Sequence, residues 1–152
     1  RFGREKSPVF TTAETPFAIG KAVVFREGKD VSIIGCGMLL YNALTAAEQL
    51  AGEGIDAEVL NSPTLKPFDT DTIVASVKKT GAAVTVEEHQ IYGGLGSAVA
   101  EVLALHFPAP MEFVGVRDRF GESGNPSELI EAFGLGVKDI AAAVKKVIAR
   151  KK

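Results

Sequence analysis

Glycines, carboxylates and imidazole gather in four short stretches of this 152-residue chain. They are Gly35-Cys36-Gly37, Asn61-Ser62-Pro63-Thr64, Glu87-Glu88-His89 with Gly93-Gly94-Leu95-Gly96, and Arg117-Asp118-Arg119-Phe120-Gly121. The first has two of the three glycines of a dinucleotide-binding turn. Leu40 stands where the third belongs, and Asn61 replaces the acid that would hold a ribose. Two glycines equally serve a tight turn and close helix–strand packing with no ligand. The Gly93–Gly96 stretch precedes a helical pattern, so its backbone N–H groups could hold an anion. No Gly-Lys-Ser/Thr follows, which separates it from a phosphate loop. Glu87 and Glu88 resemble an acid–base pair, but neighbours on a strand face opposite ways, so only one of them joins His89 on a given side. This segment offers too few ligands for a metal. His89 has no evident nucleophile to serve, and His106 reads as structural. Ser123 lacks the second glycine of a nucleophile elbow, with Asn125 in its place, and Ser97 lacks the flanking pattern. Cys36 opens a helix, which could lower its pKa, although a small half-buried thiol is the simpler role.

These stretches need a scaffold, and the composition provides one. Apolar residues make up 46% of the chain, charged residues 24%, and the net charge is −2. That balance supports a packed core and argues against disorder and against a general nucleic-acid binder. One cysteine excludes an internal disulfide, and no Cys/His cluster points to zinc. No apolar run approaches the roughly 18 residues of a membrane span, and no signal peptide is visible. A cytoplasmic protein is expected. An opening at Arg1 suggests a piece of something longer.

Residues 1–15 lack a period and read as an extended arm, leaving 16–152 as one domain. Lys21–Phe25 and Val31–Ile34 read as strands, and the short gap predicts a hairpin between them. Leu40, Ala43, Leu44, Ala47 and Leu50 then mark a helix that Gly52 and Gly54 stop. Strands are expected at Ile55–Leu60, Ala83–Val86 and Glu112–Val116. Helices are expected after a cap at Asp69, at Leu95–Leu103, after Asn125-Pro126, and from Val137 to Ile148. Lys145, Lys146, Arg150, Lys151 and Lys152 suit a helix C-terminus. Strand–helix alternation with strands apolar on both sides gives an α/β fold: a five-stranded mixed sheet with one antiparallel edge strand and helices on both faces. In such a sheet the four stretches lie along the carboxyl edge, where ligands and partners meet the fold.

Phe17–Ala22, Gly28–Gly37, Leu65-Lys66-Pro67-Phe68-Asp69, Val84–His89 with Gly93–Glu101, and Phe120–Gly124 followed by Leu129 and Phe133-Gly134-Leu135 form an ordered series of blocks. Together they resemble the C-terminal domain of transketolase. The histidine common near the last block of deoxyxylulose-phosphate synthases is absent. The resemblance implies a three-layer α/β/α sandwich in an enzyme that moves two-carbon ketol units between sugar phosphates. The parent enzyme uses thiamine diphosphate and Mg²⁺ or Ca²⁺. It implies that the cofactor lies between pyrophosphate- and pyrimidine-binding domains outside this stretch, so this chain is expected to bind no cofactor or metal and to be inactive alone. Its expected role is to buttress the pyrimidine domain and support a homo-oligomer, with no nucleic acid and no membrane. Glu87, Glu88, His89, Gly93, Gly94 and Gly96 are the candidate docking surface or anion loop. Arg117 and Asp118 pair either across that seam or with each other. The alternatives are an independent nucleotide- or anion-binding module, and the equivalent domain of a 2-oxoacid dehydrogenase β-chain or deoxyxylulose-phosphate synthase.

Overall fold

A computed structural model describes residues 6–151. Five strands, β1 (Val23–Arg26), β2 (Val31–Gly35), β3 (Ala57–Asn61), β4 (Ala83–Gln90) and β5 (Met111–Val116), alternate after β2 with helices. These are α1 (Leu39–Gly52), α2 (Thr70–Thr80), α3 (Leu95–His106), α4 (Pro126–Ala132) and α5 (Val137–Ile148). The sheet order is β1-β3-β2-β4-β5. β2, β3, β4 and β5 run parallel, and β1 is the antiparallel edge, as expected.

Period-two alternation divides the core. Val31, Ile33, Val59, Val84 and Val86 pack with α1 and α5 on one face. Ile34, Leu60 and Ala83 pack with α2 and α3 on the other. The strands are therefore buried on both faces, which is why they read as continuous apolar runs. In α5 the fully buried positions are Ile140, Val144 and Val147. Val137, Ala141 and Ile148 are half-buried and pack against that core.

The hairpin expectation is wrong. β1 pairs with β3, and β3 lies between β1 and β2. The loop after β1 crosses the start of β3. The N–H groups of Lys29 and Asp30 both donate to the Asp56 carbonyl at 2.9 Å, and the Asp30 carboxylate accepts from Asp56 N at 2.7 Å. Arg26 bonds Asp56 and the Ala57 carbonyl. Gly28 lies so close to the Ala57–Glu58 peptide that a Cβ would overlap it. Two inter-strand spacings amount to roughly 9.5 Å, which a few extended residues cross as easily as one spacing. Gap length alone therefore could not separate the two connections.

The cap at Asp69 forms as expected. One carboxylate oxygen accepts from Thr72 N, and the other from the Thr72 hydroxyl and Ala22 N. Two blocks of the family resemblance, Phe17–Ala22 and Leu65–Asp69, thus meet at one carboxylate. The C-terminal basic residues do more than face a helix dipole. Lys146 and Arg150 hold the buried Glu112 of β5 at 2.8 and 2.6 Å, and the Lys151 ammonium donates to the Asp30 and Thr80 carbonyls. The expectation for Lys152 lies outside the described residues, as do the first five residues of the proposed arm.

Burial pushes the Glu112 and Asp69 carboxyls up in pKa. For Glu112 the bonds from Lys146 and Arg150 outweigh it, and for Asp69 the bonds from Ala22 and Thr72 do, so both lie below their ordinary values. A carboxylate lowered by folding contributes stability that is present above its unfolded pKa and lost as pH falls through the folded value. Urea unfolding at pH 7 and pH 3 is expected to show a lower midpoint at pH 3. Glu112→Gln and Asp69→Asn are each expected to flatten that dependence.

Candidate functional site

β4 extends to Gln90, so Glu87, Glu88 and His89 lie on the strand rather than past it. Thr85 and Glu87 share the α3 face, and period two sends Glu88 the other way. Glu87 is buried, whereas Glu88 is exposed. The Glu87 carboxylate reaches the first turn of α3, where it accepts from Leu95 N at 2.7 Å and Gly96 N at 2.8 Å. These are amides that a helix N-terminus leaves without an intrahelical partner. They are also the amides that could have held an external anion. The chain fills that position with its own side chain, and the helix dipole favours the charge there.

Two glycines make room for this arrangement. A Cβ on Gly94 would overlap the Glu87 carboxylate, and one on Gly96 would lie 2.6 Å from a ring carbon of Phe113. Ser97 closes the loop: its hydroxyl accepts from Gly93 N and donates to the Ile91 carbonyl. The Val84–His89 and Gly93–Glu101 blocks are therefore one hydrogen-bonded unit. Glu87, expected on an exposed docking loop, is instead buried beneath that loop and holds its amides.

His89 is half-buried. Its Nδ1 lies 2.7 Å from the Gln90 carbonyl and 3.7 Å from Glu87. A carbonyl only accepts, so Nδ1 carries the proton and Nε2 is left for other contacts. Because its ring adds little to the core, His89→Ala is expected to change stability by less than about 1 kcal/mol. Val86→Ala, in the core, is expected to cost about 2 kcal/mol. Thermal melts of the two variants check this ranking; equal losses would contradict it.

Arg117 and Asp118 form no ion pair among the described residues. The Arg117 guanidinium donates to the Phe113 carbonyl, and Asp118 N donates to the Gln90 side chain. The local-pairing option is thus not what forms. Gly35 packs against Leu40, with a Cβ position 3.1 Å from its Cδ1. This matches close strand–helix packing at the Gly35-Cys36-Gly37 turn.

Sequence reasoning missed the exposed apolar residues of this edge. Tyr92 follows β4 and Phe120 follows β5; they are 69% and 96% exposed. Val23 pairs with Asn61, so the antiparallel β1 begins at the carboxyl edge, and the exposed Phe17 and Ile19 precede it there. Aromatic residues in loops of otherwise polar composition were the available signal. Beside His89 a cavity of about 550 Å³ opens between the end of β4 and α4.

This edge does not fit a metal-bound diphosphate. The α3 amides that would face a phosphate carry the Glu87 carboxylate, so the phosphate would meet a buried negative charge instead of free donors. Among the described residues no group of three His, Cys, Asp or Glu side chains is arranged to hold a cation. No helix of the described residues is long and apolar enough to cross a membrane.

The family model described as "Transketolase, C-terminal domain" matches residues 20–140. Over 135 residues the chain is 52% identical to a 6-deoxy-6-sulfo-D-fructose transketolase subunit of Clostridium sp. (strain MSTE9), covering 89% of this chain and 42% of that protein. It is 40% identical over 138 residues to a 1-deoxy-D-xylulose-5-phosphate synthase of Trichormus variabilis, covering 90% and 22%. A solved structure described as a split-gene transketolase, an inactive β4 tetramer, superposes with a TM-score of 0.95 at 46% identity, over 99% of this chain and 49% of that one. The chain thus spans less than half the length of these relatives.

Proposed function

Because the chain belongs to the transketolase C-terminal domain family, we propose that it serves an enzyme that transfers two-carbon ketol units between sugar phosphates with thiamine diphosphate and a divalent cation. In this reading the domain is non-catalytic. Residues 1–15 lead into it as an arm, and residues 16–152 form the domain. The cofactor and cation are held by pyrophosphate- and pyrimidine-binding domains, on the same polypeptide or a companion subunit. The reactive carbanion belongs to the cofactor, so this domain contributes position rather than chemistry. Its carboxyl edge docks against the pyrimidine domain and supports a cytoplasmic homo-oligomer.

One observation carries the docking role: Phe17, Ile19, Tyr92 and Phe120 lie exposed along that edge. Exposed apolar residues gathered on one side mark interaction surfaces, and aromatic anchors dominate their energetics. Glu88, His89, Gly93, Gly94, Arg117 and Asp118 surround them as the polar and backbone portion. Gly96 and Glu87 support the loop from below.

Calorimetric titration of this chain with thiamine diphosphate and Mg²⁺ is expected to give no specific heat. Mixed with a companion chain that carries the two cofactor-binding domains, it is expected to sediment as a complex. Phe120→Ala and Tyr92→Ala are each expected to weaken that complex about tenfold. A micromolar cofactor site on this chain alone, or full association by the double variant, overturns the division of labour.

A further inference from the structure

The cavity beside His89 has a consistent chemical character. Val116, Leu129, Phe133 and Leu135 supply apolar walls, and Glu88, His89 and Glu122 add polar groups. Two of these three are carboxylates. His89 has its Nδ1 committed to the Gln90 carbonyl, which leaves Nε2 for other contacts. Gln90 is also committed: its amide donates to the Arg119 carbonyl and its oxygen accepts from Asp118 N. The charged groups of the lining are thus two carboxylates, Glu88 and Glu122. At about 550 Å³, the space lies within the roughly 300–1,000 Å³ range of small-molecule sites.

The chain itself shows which group suits this place. The Arg119 guanidinium stacks over the Phe133 ring, 4.1 Å from its centroid, and pairs with Glu122. A planar cation is thus already held between an aromatic face and a carboxylate that both line the cavity. Arg119 is tethered to an exposed loop and is itself about half exposed, so its guanidinium is held against two lining groups from outside the cavity and can be displaced.

We propose that this cavity is a binding site for a small organic cation, an amidinium, guanidinium or ammonium group carried on an apolar body. The head takes the place of the Arg119 guanidinium between Phe133 and Glu122, within reach of Glu88. The body lies against Val116, Leu129 and Leu135. The site takes no part in ketol transfer; it shares Glu88 and His89 with the proposed docking edge, whose apolar anchors Tyr92 and Phe120 are tested separately.

Three nearly isosteric probes test the charge directly: benzamidine, benzamide and benzoate, each titrated into the ¹⁵N-labelled chain. Benzamidine is expected to shift the amide signals of Gln90, Glu122 and Phe133, with benzamide about tenfold weaker and benzoate without effect. Glu88→Gln combined with Glu122→Gln is expected to weaken benzamidine about fivefold. Arg119→Ala is expected to strengthen it severalfold by removing the tethered competitor. A merely structural arginine would not produce that gain. Equal binding of benzamide, shifts that map elsewhere, or weaker binding by Arg119→Ala overturns the proposal. If the double glutamine variant fails to fold, the probe comparison on the unaltered chain and the arginine variant still decide it.

Discussion

Glu87→Ala is expected to lower the unfolding free energy by about 3 kcal/mol, a large share of the stability of a domain this size. The side chain is buried, and its two oxygens accept from Leu95 N and Gly96 N. Truncation leaves both donors buried with no partner. An unsatisfied buried donor costs about 1–3 kcal/mol, and these bonds have the added strength of a charged acceptor. Glu87→Gln keeps one acceptor but turns an NH₂ group toward the other N–H, so an intermediate loss of about 1–2 kcal/mol is expected. Glu88→Ala, on the exposed neighbour, is expected to change stability by no more than about 0.5 kcal/mol. Urea unfolding measures all three. Hydrogen exchange at Leu95 and Gly96 adds a local readout, since those amides should lose protection first in Glu87→Ala. Similar losses for the adjacent glutamates would refute the buried-cap assignment.

Gly28→Ala is the second large effect, with an expected loss of about 3 kcal/mol or more. A methyl group at this position overlaps the backbone of Ala57 and Glu58. A flexible side chain could swing aside, but the start of a central strand cannot move without disturbing its ladders to both β1 and β2. The loop must lift, and the paired bonds from Lys29 and Asp30 to Asp56 are lost with it. Soluble yield and melting temperature measure the effect. Gly52→Ala is the control, since nothing lies within 4 Å of its Cβ position. Parity between the two glycine variants would rule out the close crossing as the cause.

Both predictions concern positions whose importance was only partly legible in the sequence. The alternation of Glu87 and Glu88 is a property of one strand, so their opposite faces could be read from spacing alone. That Glu87 would fill the α3 terminus could not, because the partners lie eight and nine residues ahead and meet it only when the loop folds back. The helix boundaries at Asp69 and Asn125 were legible for a similar reason: each cap bonds backbone two or three residues away. Strand adjacency was not, because the space between β1 and β2 is taken by a segment that follows more than twenty residues later. The exposed Tyr92 and Phe120 also escaped notice, since composition marks apolar residues without saying which remain uncovered.

The placement of β3 between β1 and β2 has a temporal side. A ribosome delivers β1 and β2 first, yet neither can pair with its final neighbour β3 until Asn61 has emerged. Until then β1 is a strand without a sheet. Domains assemble as units during synthesis, and uncovered strand edges at that stage invite wrong pairing. The Gly28 crossing forms only when Asp56 to Glu58 arrive, so it fixes β3 between the two early strands rather than preparing a place for it. A nascent chain stalled short of Asp56 therefore carries β1 and β2 with no strand to join them, and added peptide corresponding to β3 is expected to pair with both.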